Sequence, residues 1–207
     1  DDIPTYFQSR GESLHRLVTL VGSVLEQKPG RYLIAFPSFA YLDSFWEEWN
    51  ANGLTNHGLV KQGPGIHLKE TKKILTDFSE TDLCLLGVVL GGIFGESIDF
   101  FDSPISGVFV VSIGLPPPSL ERDLMAEHFA KYQNQEIGQT IAYRQPALNK
   151  VLQVCGRLIR SVKHKGMIYL VDPRYNSPKI REFFPAHWSL SSIKFSDAAR
   201  MTKKFWG

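Results

Sequence analysis

Four apolar runs contain almost no polar interruption: RYLIAF (31–36), LCLLGVVL (83–90), SGVFVVSIGL (106–115) and GMIYLV (166–171). A strand with one wet face alternates apolar and polar residues, whereas a strand covered on both faces has no need to. These runs are therefore read as buried strands of a mainly parallel sheet, joined by a shorter one at 58–62. Between them, apolar spacing of three and four residues, closed by Pro and Gly, predicts helices over 12–27, 39–49, 68–78, 119–133, 147–161 and 178–184. Strands alternating with helices imply an α/β domain with helices on both faces of the sheet and right-handed crossovers. The chain shows no internal repeat and no linker composition, so residues 1–207 read as a single domain.

Composition narrows the function classes. No apolar run approaches the roughly 18 residues that cross a bilayer, and DDIPTYFQSR has neither the basic nor the apolar region of a secretion signal. A cytoplasmic protein with no membrane partner is expected. Position 1 is not Met, so the chain reads as a piece of a longer polypeptide. Cys84 and Cys155 sit in apolar stretches without ligand spacing, as reduced core thiols do. Two cysteines make neither a four-thiolate cluster nor a structural zinc site, and no metal is expected in this chain. The net charge is only +2, but Arg144 to Arg181 holds nine Lys/Arg and one acid, while the first fifty residues hold seven acids and four Lys/Arg. That basic stretch fits an anionic partner on one face; charge alone does not separate this from a solvated surface.

VLQVCGRLIRS (151–161) lies in the predicted helix 147–161. Leu148, Val151, Leu152, Cys155, Leu158, Ile159 and Val162 form a stripe to be buried. Gln153, Gly156, Arg157, Arg160 and His164 form a second, largely opposite stripe. Glycine costs about 1 kcal/mol against alanine inside a helix, so Gly156 is read as clearing space for another body beside two guanidiniums. Two arginines on a cleared face suit a multiply charged anion; the plainer reading is a polar outer face.

LCLLGVVL runs directly into GGIFGESIDF (91–100), and ligands of open α/β sheets sit at such strand ends. Gly91, Gly92 and Gly95 permit tight turns, and Glu96 and Asp99 add acceptors. The spacing is not GxGxxG, no helix clearly follows, and GxxxxGK[ST] occurs nowhere in the chain. The main phosphate cradle of any nucleotide chemistry must come from elsewhere.

Taken in order, these segments resemble a known family. YLIAFPSFAYL is similar to motif IV of the DinG/XPD-type superfamily-two helicases, and GGIFGESIDF to their motif V. LNKVLQVCGRLIRS is similar to motif VI, Q-x-x-GR-x-x-R, and GMIYLVDPRY to the strand and D-x-R after it. The resemblance covers about Tyr6 to Trp188 and implies the second RecA-like motor domain of an ATP-dependent DNA helicase moving 5′ to 3′ on single-stranded DNA. It implies ATP and Mg²⁺ held mainly by a first motor domain of the same polypeptide, which in the family usually carries an iron–sulfur cluster. It places the protein in the bacterial cytoplasm, near the nucleoid.

The same resemblance assigns roles. Arg157 and Arg160 match the arginines that reach the ATP γ-phosphate. Gln153 and Gly156 lie in the same nucleotide-binding motif; Gly92, Glu96 and Asp99 match the motif V loop that links nucleotide state to the DNA surface. Pro37 and Ser38 sit where the motif IV loop approaches the nucleic-acid backbone. Two positions depart from the pattern: Ser97 replaces the usual glycine after Glu96, and His164 stands where many relatives carry Asp. His164 reads otherwise as a histidine at a helix end. The competing reading is a non-catalytic nucleic-acid or protein-binding module derived from such a motor. Trp46, Trp49, Trp188 and Trp206 could stack on bases, but core packing explains each more simply.

Overall fold

The computed structural model describes residues 2–52, 57–96, 104–159 and 163–207. Its strands are β1 (Arg31–Phe36), β2 (Gly58–Lys61), β3 (Cys84–Val89), β4 (Gly107–Val111) and β5 (Met167–Val171), and its helices α1 (Arg10–Gln27), α2 (Phe39–Asn52), α3 (Leu68–Glu80), α4 (Ile93–Glu96), α5 (Leu120–Tyr132), α6 (Gln135–Gln139), α7 (Gln145–Cys155), α8 (Pro178–Arg181) and α9 (Ala198–Trp206). The sheet runs β2-β3-β1-β4-β5. All four pairings are parallel.

Both faces of the central strands are buried, as their unbroken apolar runs require. Tyr32, Ile34 and Phe36 of β1 pack with α1 and α2, while Leu33 and Ala35 join Phe78 of α3, Phe94 of α4 and Leu148 and Val151 of α7. The chirality follows. The crossover from β1 to β2 moves one way across the sheet through α2; the crossovers from β2 onward move the other way through helices on the opposite face. Opposite directions on opposite faces are what right-handed connections produce. The direction reverses at β1 and β4, so the crevice at their carboxyl ends is the switch point where open α/β sheets bind ligands.

The helix expected over 147–161 is shorter. Gly156 is its C-cap, and Arg157 N–H donates to the Val154 carbonyl (3.0 Å) and Leu158 N–H to that of Cys155 (3.1 Å). Bonds to the third residue back tighten and end the last turn. Leu158 is still buried, but Ile159, assigned to the buried stripe, is 51% exposed. His164 lies beyond the helix rather than at its end. Four elements carry no strong sequence signal: α4, α6, a π-helical stretch Thr140–Arg144 between α6 and α7, and α9. The short helix α4 lies within the glycine loop 91–100 itself; residues 97–103, where a helix after it would begin, lie outside the described residues.

Candidate functional site

The glycine loop and the arginine-bearing helix pack on each other. Gly91 has φ +77, a conformation glycine adopts without strain. A Cβ there would lie 2.9 Å from Cε and Nζ of Lys150, so the lysine stem of α7 lies directly over the turn. At Gly92 a Cβ would fall 2.7 Å from Gln62 Nε2 and 2.9 Å from the Val89 carbonyl. Gln62 is buried and accepts from the Val89 N–H at 3.2 Å, which fixes the end of β3 where the loop begins. The sequence reading missed Gln62: a lone glutamine at a strand end has no local signature. Phe94 anchors α4 in the core that holds α7. The Glu96 side chain and Asp99 lie outside the described residues, as does Ser97.

On α7, Gln153 is exposed one turn before the end, and Gly156 is exposed at the cap. A Cβ on Gly156 would meet only the Leu152 and Gln153 carbonyl oxygens, at 3.3 and 3.4 Å. Arg157 follows in the tight turn, half-buried; Arg160 lies outside the described residues. The helix runs antiparallel to the strands. Lys150 sits at their carboxyl ends beside Gly91, while Leu158 packs on Gly166, next to the Ser106 carbonyl that precedes β4. Arg157 is thus placed toward the amino ends, away from Pro37 and Ser38.

At the carboxyl ends, Ser38 caps α2: its hydroxyl accepts from the Tyr41 N–H (3.3 Å) and its carbonyl from that of Leu42 (3.2 Å). At the same end of the sheet, after β5, Asp172 of the D-x-R segment is fully buried and bound bidentately by Arg174, Nε to Oδ1 at 2.8 Å and Nη2 to Oδ2 at 2.7 Å. The Thr5 hydroxyl donates to the same carboxylate, and Arg174 Nη2 also reaches the Ser112 hydroxyl at 3.1 Å. Ser112, with φ +74, is in turn held by Tyr175, whose hydroxyl donates to its carbonyl at 2.9 Å. One buried carboxylate therefore ties the N-terminal segment to the ends of β4 and β5.

The basic stretch is partly committed. Arg144 and Lys179 both bind Glu136 and hold its carboxyl down to about 2, Arg144 first. Arg181 donates to the Asn176 side chain at 3.0 Å. Both thiols are buried and unpaired with each other; burial pushes Cys84 up to about 11 and Cys155 up to about 12. Trp46 and Trp49 belong to the aromatic core around Phe45, Trp188 stacks on Phe184, and Trp206 lies under Lys28 and Lys165.

Known proteins are similar to this chain in sequence and in fold. The family model described as "Helicase C-terminal domain" matches residues 21–191. "ATP-dependent DNA helicase CHL1" of Debaryomyces hansenii is 31% identical over 77% of this chain and 22% of its own. The Schizosaccharomyces pombe protein of the same name is 30% identical over 86% of this chain and 23% of its own. The chain thus spans less than a quarter of the length of these relatives. A solved XPD helicase superposes with a TM-score of 0.68 at 22% identity, over 88% of this chain and 32% of that one, which shows the fold.

Proposed function

This chain belongs to the helicase C-terminal domain family, and on that premise we propose that it is the second motor domain of an ATP-dependent DNA helicase. The phosphate loop, the Mg²⁺-binding acids and any iron–sulfur cluster are assigned to a first motor domain elsewhere in the same polypeptide. ATP supplies the driving reaction when bound between the two. Arg157 and Arg160 act as arginine fingers: the guanidinium is always charged and presents a planar fork to two oxygens, and such a group contributes about 10³–10⁵ in rate in known phosphoryl transfers. Gln153 and Gly156 line the same cleft. Gly92, Glu96 and Asp99 relay nucleotide state to the strand ends, where Pro37 and Ser38 contact single-stranded DNA through hydroxyl and backbone groups that carry no sequence preference. Movement is 5′ to 3′, in the cytoplasm.

The observation that supports this reading is the packing of Lys150 over Gly91. It joins the segments resembling motifs V and VI into one unit, so a group bound near Arg157 has a packed route to the strand ends. The domain alone, lacking a phosphate loop, is expected to hydrolyse no ATP. The test is ATP turnover by the full-length protein with and without single-stranded DNA, followed by unwinding of duplexes with 5′ or 3′ tails. DNA-stimulated turnover and unwinding from the 5′ tail support the motor; binding without turnover means a non-catalytic module.

A further inference from the structure

We infer that a surface pocket between α1 and α2 is a stacking subsite for one base of the single strand; this rests on the reading of Pro37 and Ser38 as a nucleic-acid contact. The pocket holds about 190 Å³ and is walled by Phe7, Arg10, Leu14, Ala40, Tyr41 and Ser44. That is below the roughly 300 Å³ of pockets for drug-sized ligands, and suits a flat ring better than a whole nucleotide.

Its walls are built for stacking. The Arg10 guanidinium lies between two rings, 5.4 Å from the Phe7 centroid and 4.7 Å from that of Tyr41, and Nε donates to the Thr5 carbonyl at 3.3 Å. Tyr41 is buried, but Phe7 is 83% exposed. A phenyl ring so exposed adds almost nothing to the core, yet it is held in place. It sits in the 3-10 turn Phe7–Ser9, where the Ser9 N–H donates to the Tyr6 carbonyl at 2.9 Å. Thr5, two residues earlier, is anchored on Asp172. Tyr6, 47% exposed, has the Arg174 guanidinium 4.6 Å from its centroid. Two adjacent exposed rings are thus each backed by an arginine, beside the turn that carries Ser38.

Rings backed by cations form a platform for single-stranded nucleic acid. Every base has a π-face to stack, and the positive charge draws the backbone. Two of the three acids of α2 are engaged, Asp43 by Lys61 and Glu48 by His15, and the third, Glu47, is exposed.

The test measures anisotropy of a labelled oligothymidylate and of a fully abasic strand of equal length, bound to the full-length protein without nucleotide. Phe7→Ala should weaken binding of the base-bearing strand about five- to tenfold, within the range for a lost stacking partner. It should leave the abasic strand and the salt slope unchanged, because no phosphate contact is lost. Phe7→Trp should bind like wild type. Wild-type affinity of Phe7→Ala for oligothymidylate overturns the subsite and leaves the Ser38 reading standing. A wild-type protein that binds neither strand overturns both.

Discussion

Gly156 has φ −64 and ψ −11, a conformation open to any L-residue. A methyl group there meets only carbonyl oxygens of its own helix, so the fold has no strict need of glycine at this position. In the proposed motor, its bareness leaves room for the first motor domain to approach. Gly156→Ala should therefore shift the unfolding free energy of the domain by less than about 1 kcal/mol, while lowering ATP turnover of the full-length protein. Urea titration beside steady-state kinetics checks both, and unchanged turnover would leave the residue without a role at the cleft. Asp172 is the opposite case. Its carboxylate has no exposed area, and Arg174 keeps 24%. Removing one partner of a buried pair strands the other charge. Asp172→Ala should cost about 3 kcal/mol, at the low end for buried pairs because Arg174 retains some water. A urea midpoint close to wild type would contradict that. The D-x-R pair was visible in the sequence, but not its partners: Thr5 and Ser112 stand 167 and 60 positions before Asp172 and share no local pattern with it.

The central strands and the helices α1 and α2 were legible because a covered face wrote itself into the apolar spacing, whereas α5 was read from sequence although it buries only Ala126. RYLIAF became β1 without a shift of either end, because both its faces are buried. α7 was overextended for a physical reason. Leu158 continues the helical apolar pattern, yet it reaches the core from a tight turn after the helix has ended, and the pattern does not distinguish the two. α4 is four residues long and exists because Phe94 inserts into the core, a cause with no periodicity to reveal it. The layer formed by α5, α6 and the π-helical stretch was also partly hidden. Gly138 explains how it packs: a Cβ there would collide with the Ala126 carbonyl oxygen of α5 and lie 3.0 Å from its carbon. The obstacle is backbone and cannot rotate away. Gly138→Ala should destabilise the domain by about 1–3 kcal/mol, the usual range for overpacking, and lower its melting temperature. An unchanged melting temperature would mean that the two helices separate freely.

At the scale of the whole molecule, one sheet carries two kinds of surface. The arginine-bearing turn after α7 lies toward its amino ends, and the Ser38 cap, the Asp172 tie and the exposed rings of Tyr6 and Phe7 lie at its carboxyl ends. A motor domain needs such a division, since nucleotide and strand must act on one rigid body without competing for the same groups. The motifs were legible in order along the chain, but their separation in space lies in the course of α7, which runs against the strands. If the domain completes an ATP site, its arginines must act on the departing phosphate and not on the strand. The most direct measurement is Arg160→Lys in the full-length protein, with DNA-stimulated ATP turnover and nucleotide-free binding of single-stranded DNA determined side by side. Lysine keeps the charge and loses the fork. The arginine-finger role requires kcat to fall by at least about 10²-fold, with DNA affinity nearly unchanged. Wild-type kcat with weakened DNA binding would contradict it and move this segment to the strand-binding side of the motor.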